Sequence, residues 1–66
     1  MSLQMTTLEI RDWKRLSRMT FTGVLYKNGV KGDDCILSTV SVMEYSDRFI
    51  LMDTYNKYTL LKVYGK

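Results

Sequence analysis

The stretch Met19-Thr20-Phe21-Thr22-Gly23-Val24-Leu25-Tyr26-Lys27-Asn28-Gly29-Val30 decides the architecture, because it alternates with a period of two and then turns sharply. Met19, Phe21 and Leu25 form one row, and Thr20, Thr22, Val24 and Tyr26 the other. That spacing puts one row on a buried face of a pleated strand, and β-branched and aromatic residues favour such a surface. Asn28 and Gly29 both tolerate positive φ, so Lys27-Asn28-Gly29-Val30 predicts a tight hairpin.

Downstream, the pattern continues as strands and turns. Gly32-Asp33-Asp34 weakens the returning strand and predicts a bulge or a second turn. The run from Cys35 to Tyr45 is long and is expected to bend at Ser38, Thr39 and Ser41, after which Ser46-Asp47 turns the chain. Phe49-Ile50-Leu51-Met52 is apolar on both faces, as suits a strand covered from two sides. Tyr55-Asn56-Lys57 predicts a further turn, and Tyr58 to Tyr64 a last strand with Leu60 and Leu61 on opposite faces. With no proline and no crossover helix, residues 19–64 read as a four- to five-stranded antiparallel meander or small open barrel.

Upstream, residues 6–18 carry a different period. Thr6 and Glu9 have capping-box spacing, Ile10, Trp13, Leu16 and Ser17 gather on one side of a helical projection, and Arg11, Lys14, Arg15 and Arg18 gather opposite. The spacing predicts an amphipathic cationic helix; a competing reading makes Leu8 and Ile10 the inward pair of a short strand. The expected fold class is therefore mostly β (α+β), a single domain with a short N-terminal helix. Residues 1–5, which hold a second methionine at Met5, are expected to be disordered or left over from expression.

The order basic helix, strand ending in Asn-Gly, bent strand and two further strands resembles the Sm-like, Hfq-like small β-barrel family. Leu25-Tyr26-Lys27-Asn28-Gly29-Val30-Lys31, Glu44-Tyr45-Ser46-Asp47-Arg48-Phe49-Ile50-Leu51 and Val63-Tyr64-Gly65-Lys66 carry the resemblance. It implies a ring-forming RNA binder.

Size and composition exclude several function classes. A chain of 66 residues buries a thin core. Its one cysteine, Cys35, rules out an intramolecular disulfide and fits a reducing, cytoplasmic compartment, and with no histidine and a single cysteine the four-ligand nitrogen and sulfur site of structural zinc is not expected. Self-association is then the expected extra support, as a homo-oligomer. No apolar run is long enough to cross a bilayer as a helix, so no membrane partner is expected.

Catalysis is not expected. Histidine, the commonest acid or base near neutral pH, is missing, Cys35 has no base to activate it, and Asp33, Asp34, Glu44, Asp47 and Asp53 lack the spacing of a calcium loop. Neither a metal nor a cofactor is expected. Gly29-Val30-Lys31-Gly32 is not a phosphate-cradling loop, having neither the glycine spacing nor a helix behind it.

What remains is charge and aromaticity. Ten Lys and Arg against seven Asp and Glu give +3, a mild bias toward acidic partners. Arg11, Lys14, Arg15 and Arg18 on one helical face, extended by Lys27 and Lys31, are the candidate contacts to the phosphates of RNA or single-stranded nucleic acid. Tyr26, Tyr45, Tyr55, Tyr58 and Tyr64 are candidate stacking or interface residues. The expected function is a non-enzymatic nucleic-acid-binding β domain. The alternative is a protein-interaction module, such as a small inhibitor or adaptor from a mobile element, docking through a sheet edge or a tyrosine-bearing face.

Overall fold

A computed structural model describes residues 6–66; the expectation for residues 1–5 lies outside them. The chain forms strands β1 (Thr6–Arg15), β2 (Thr20–Lys27), β3 (Val30–Ser38), β4 (Ser41–Glu44), β5 (Arg48–Met52) and β6 (Asn56–Leu61), then a 3₁₀ turn over Lys62–Tyr64. All six strands belong to one sheet in the order β3-β2-β1-β6-β5-β4. The domain is mostly β, as expected. Three details differ among the described residues: there are six strands, the sheet is mixed because β1 and β6 run parallel, and residues 6–18 form no helix.

The helix expected over residues 6–18 is strand β1, and the reason lies in one extra residue. Arg11 pairs with Val24 and Lys14 with Thr22, so Asp12 and Trp13 together oppose the single residue Gly23. This β-bulge turns the inward row from Leu8 and Ile10 to Trp13, stretching a spacing of two into a spacing of three. The i, i+3 spacing of Ile10 and Trp13 therefore imitated a helix. Asp12 takes the strained bulge position at φ 51, which a short polar side chain tolerates better than most. Opposite, Gly23 is buried beneath the kink: a Cβ there would run into the Ile10 side chain and stand 3.0 Å from both the Arg11 carbonyl oxygen and Trp13 Cα. The competing reading of Leu8 and Ile10 as a strand pair is the one the structure contains.

The β2–β3 hairpin forms as its sequence predicts. Asn28 and Gly29 have φ 53 and 79, the positive pair of a type I′ turn, between the paired residues Lys27 and Val30. Gly32-Asp33 forms the expected bulge, since Tyr26 pairs with Lys31 but Val24 with Asp34.

The long run after Cys35 bends where small polar residues interrupt it. β3 and β4 are consecutive in the chain, separated by Thr39-Val40 alone, yet lie at opposite ends of the pairing order. The sheet must curl until these ends meet at the corner. There Thr39 N–H and its hydroxyl both donate to the Met19 carbonyl (2.9 and 3.0 Å), while Val40 N–H donates to the Met52 carbonyl (2.9 Å). No ladder joins β3 to β4, so the curled sheet is not a closed barrel.

Inside the curl, Ile10, Trp13, Phe21, Phe49, Leu51, Tyr58 and Leu60 form the buried core. Three aromatic rings make its centre, with Trp13 edge-on to Phe21 and Phe49 at 6.1 and 5.4 Å between centroids, geometry that suits the ring quadrupoles. The Trp13 indole N–H donates to the Leu61 carbonyl at 2.9 Å, so the one buried polar atom of this ring is satisfied. Gly65 packs flat on the indole, where a Cβ would come within 2.7 Å of the ring.

Asp53 holds the β5–β6 turn. Its Oδ1 accepts from the Tyr55 and Asn56 backbone N–H groups at 3.0 and 2.8 Å, and its Oδ2 accepts from the Tyr58 hydroxyl at 2.9 Å. The backbone N–H of Tyr55, then that of Asn56, holds the Asp53 carboxyl below its ordinary value.

Gly23→Ala is expected to destabilise the domain by about 1–3 kcal/mol, the usual cost of forcing atoms into a filled site. It would be read as a lower urea midpoint at unchanged slope. The depressed Asp53 carboxyl contributes stability that is full above the unfolded carboxylate value of about pH 4 and is lost as pH falls through its lower folded value. Asp53→Asn keeps the Oδ1 acceptor but does not titrate. It is expected to be less stable than wild type at pH 7, with the gap in urea midpoints closing as the buffer is acidified below pH 4.

Candidate nucleic-acid interface

The bulge decides where the β1 cations go. Arg11 and Lys14 pair with Val24 and Thr22 on the outward face, whereas Arg15 pairs with buried Phe21 on the opposite face. Arg15 folds over the end of the core, with its guanidinium 5.2 Å from the Phe21 ring and 5.6 Å from Phe49. Its Nε donates to the Ser17 carbonyl at 3.1 Å and its Nη2 to that of Arg18 at 2.7 Å. Arg18 stands exposed between β1 and β2. The single cationic face expected from Arg11, Lys14, Arg15 and Arg18 is thus not assembled, because a strand sends neighbours to opposite faces where a helix would have gathered them.

Lys27 and Lys31 sit at the other end of the sheet, beside an open groove of about 280 Å³ lined by Thr7, Leu8, Glu9, Tyr26, Asn28, Gly29 and Thr59. The groove has a simple origin. Glu9 of β1 lies between Tyr26 of β2 and Thr59 of β6, and the β2–β3 turn projects beyond them. Lys27 precedes Asn28, Lys31 pairs with Tyr26, and Lys57 pairs with Thr7. All three lysines are exposed. Among the described residues the ion pairs are Arg11–Glu9, Arg48–Asp47 and Lys62–Glu44, which leaves this trio without an acid partner.

Lys57 escaped the sequence reading. It lies in a turn-like tripeptide far along the chain from Thr7, and the parallel β1–β6 pairing alone brings the two together.

Arg11 is engaged within the protein. Its guanidinium lies 4.4 Å from the centroid of Tyr26 and 4.6 Å from that of Tyr64, and its Nη2 donates to Glu9 Oε1 at 3.1 Å. That hydrogen bond, chiefly, raises the Arg11 pKa above its already high value. Its Nε is buried without a partner among the described residues. Cation–π contact with two rings fixes the guanidinium, and the guanidinium in turn fixes the carboxylate that lines the groove.

Cys35, the one thiol, is not activated by its surroundings. Partial burial and then the charge of Asp34 push the Cys35 thiol up from its ordinary value, away from the reactive thiolate. Among the described residues no three of His, Cys, Asp and Glu are grouped to hold a metal ion. Nor is any described helix long and apolar enough to cross a membrane.

No protein-family model, curated protein or solved structure matches the chain.

Proposed function

We propose that the chain is a non-enzymatic binding module for single-stranded nucleic acid, most simply RNA. The observation that supports this is the groove end of the sheet. Three exposed lysines without acid partners among the described residues lie beside residues that line an opening walled by Tyr26: Lys31 pairs with Tyr26 and Lys57 with Thr7 on that face, and Lys27 flanks Asn28 from the other face. Cations that track a backbone, combined with an aromatic side chain against which a base can rest, are what single-strand binding requires; Arg11 already covers one face of the Tyr26 ring, so the base would meet the part of Tyr26 that lines the groove. The resemblance to Sm-like proteins points to the same ligand class, although the basic helix that formed part of it is a strand here. Lys14 and Arg18, at the far end of β1, extend the field without contributing to the groove.

A protein-docking reading has one observation of its own. β3 is an edge strand over its whole length, and it exposes Val30 and Ile36 at 69% and 72% of their surface. Open edges invite strand addition by a partner or by a second copy of the chain, and the Gly32-Asp33 bulge with its acidic neighbours guards part of this one. Self-association, expected from the thin core, belongs to the same reading, with β3 and β4 as the edges it would use.

Replacing Lys27, Lys31 and Lys57 together by alanine is expected to weaken binding of a single-stranded oligonucleotide. The slope of log affinity against log salt should fall by about 2, at roughly 0.7 per lost phosphate contact. Lys14→Ala with Arg18→Ala should leave that slope nearly unchanged, and a mixed oligonucleotide pool that shows no salt-dependent binding at low salt would overturn the proposal. For the edge reading, Ile36→Lys is expected to abolish partner capture or reduce the mass seen by light scattering, with the fold intact by circular dichroism.

A further inference from the structure

We infer that the groove beside Tyr26 is a base-reading subsite for guanine in a single strand; this rests on the nucleic-acid reading above and specifies what that surface selects. At about 280 Å³ the groove lies just under the roughly 300 Å³ at which pockets for drug-sized ligands begin, so it suits one nucleobase rather than a longer segment. Three kinds of group line it. Tyr26 offers a ring, Glu9 a carboxylate and Asn28 a side-chain amide at the tip of the turn.

The carboxylate decides which base fits. An ionised Glu accepts hydrogen bonds and cannot donate, and each of its oxygens takes more than one. Oε1 already receives the Arg11 guanidinium at 3.1 Å, and that contact orients the group while leaving acceptor capacity on both oxygens. Guanine is the base whose Watson–Crick edge sets two donors side by side, N1–H and the N2 amino group, so both can go to one carboxylate. Adenine and cytosine turn a ring-nitrogen acceptor toward it, and uracil flanks its single N–H with two carbonyls; each would place lone pairs against the negative charge. The Asn28 amide completes the pattern by donating to guanine O6.

The surroundings separate guanine from the other ligand that a carboxylate beside an aromatic ring accepts, an organic cation. Lys31 pairs with Tyr26 and Lys57 with Thr7 on the face of the groove, Lys27 flanks Asn28, and Arg11 sits against both Glu9 and Tyr26. Such a field repels a cation and attracts the phosphates on either side of a base.

The test measures affinity for fluorescent uridine-rich decamers carrying one central guanine, inosine, adenine or cytosine, at two salt concentrations. Guanine is expected to bind about tenfold tighter than adenine or cytosine, within the range of roughly 5- to 150-fold that a good bidentate contact confers. Inosine, which lacks the N2 amino group, should fall between. Glu9→Gln should erase the preference while keeping the salt slope, and Asn28→Asp, which tolerates the positive φ at this position, should lower it in a protein with an unaltered turn. Equal affinity for all four decamers with a steep salt slope would overturn guanine reading and leave the nucleic-acid proposal standing. Loss of all salt-dependent binding would overturn both. Free guanosine monophosphate should compete only at far higher concentration than the decamer; competition at equal concentration would overturn the strand as ligand in favour of a free nucleotide.

Discussion

The kink in β1, where Asp12 and Trp13 share one partner across the ladder, is the constraint on which the rest of the structure depends. Without it, strict alternation would send Trp13 to the outward face along with Arg11. With it, the indole reaches the centre of the core, Arg15 follows it inward to cover Phe21 and Phe49, and Arg11 and Lys14 both remain outside. Gly23 is the counterpart of the kink, since it yields the space into which the strand bends. Trp13 then anchors the late part of the chain as well. It takes a carbonyl from Leu61, a flat glycine from position 65, and the Lys66 backbone N–H on its own carbonyl at 2.8 Å.

The two ends of the curled sheet are chemically distinct as a result. At one end, cations are absorbed into structure: Arg15 lies over core aromatics and Lys62 sits 5.3 Å from the Phe49 ring while it donates to Glu44 at 2.7 Å. That contact, chiefly, holds the Glu44 carboxyl below its ordinary value, and the Arg48 guanidinium does the same for Asp47. At the other end Lys27, Lys31 and Lys57 have no acid partner among the described residues and neighbour residues that line a concavity. Exposed ion pairs of this kind contribute little to stability, so the contrast bears on recognition more than on folding.

The hairpin, the Gly32 bulge, the bend after Ser38 and the row of Phe21 and Leu25 were legible because each rests on neighbouring residues and a local period. β1 was misread for a physical reason. A bulge removes the period of two at the one place where cations recur at helical intervals, and no short-range pattern distinguishes that combination from an amphipathic turn of helix. The site was legible in part. Lys27, Lys31 and Tyr26 lie beside the strongest turn signal, but the local pattern places Glu9 in a helix cap and Lys57 in a turn. Both enter the groove through the parallel pairing of β1 with β6, which a meander does not contain. Arg11 shows the converse, since the tyrosines that enclose it are distant in sequence and met it only in the folded chain.

That parallel pairing also orders events in time. β1 is the first described strand and β6 the last, so one side of β1 has no partner until residues 56–61 are in place. The β1–β2–β3 hairpins need only local contacts, but the core they face is completed by Phe49, Leu51, Tyr58 and Leu60. Pairings between such distant segments make for slow folding, because the loop must close before its contacts repay the lost entropy. Whenever β6 is out of place, β1 is left an open inner strand beside an uncovered core. Loosening of β6 alone therefore opens a strand edge and the core together, and open strand edges are where chains pair wrongly.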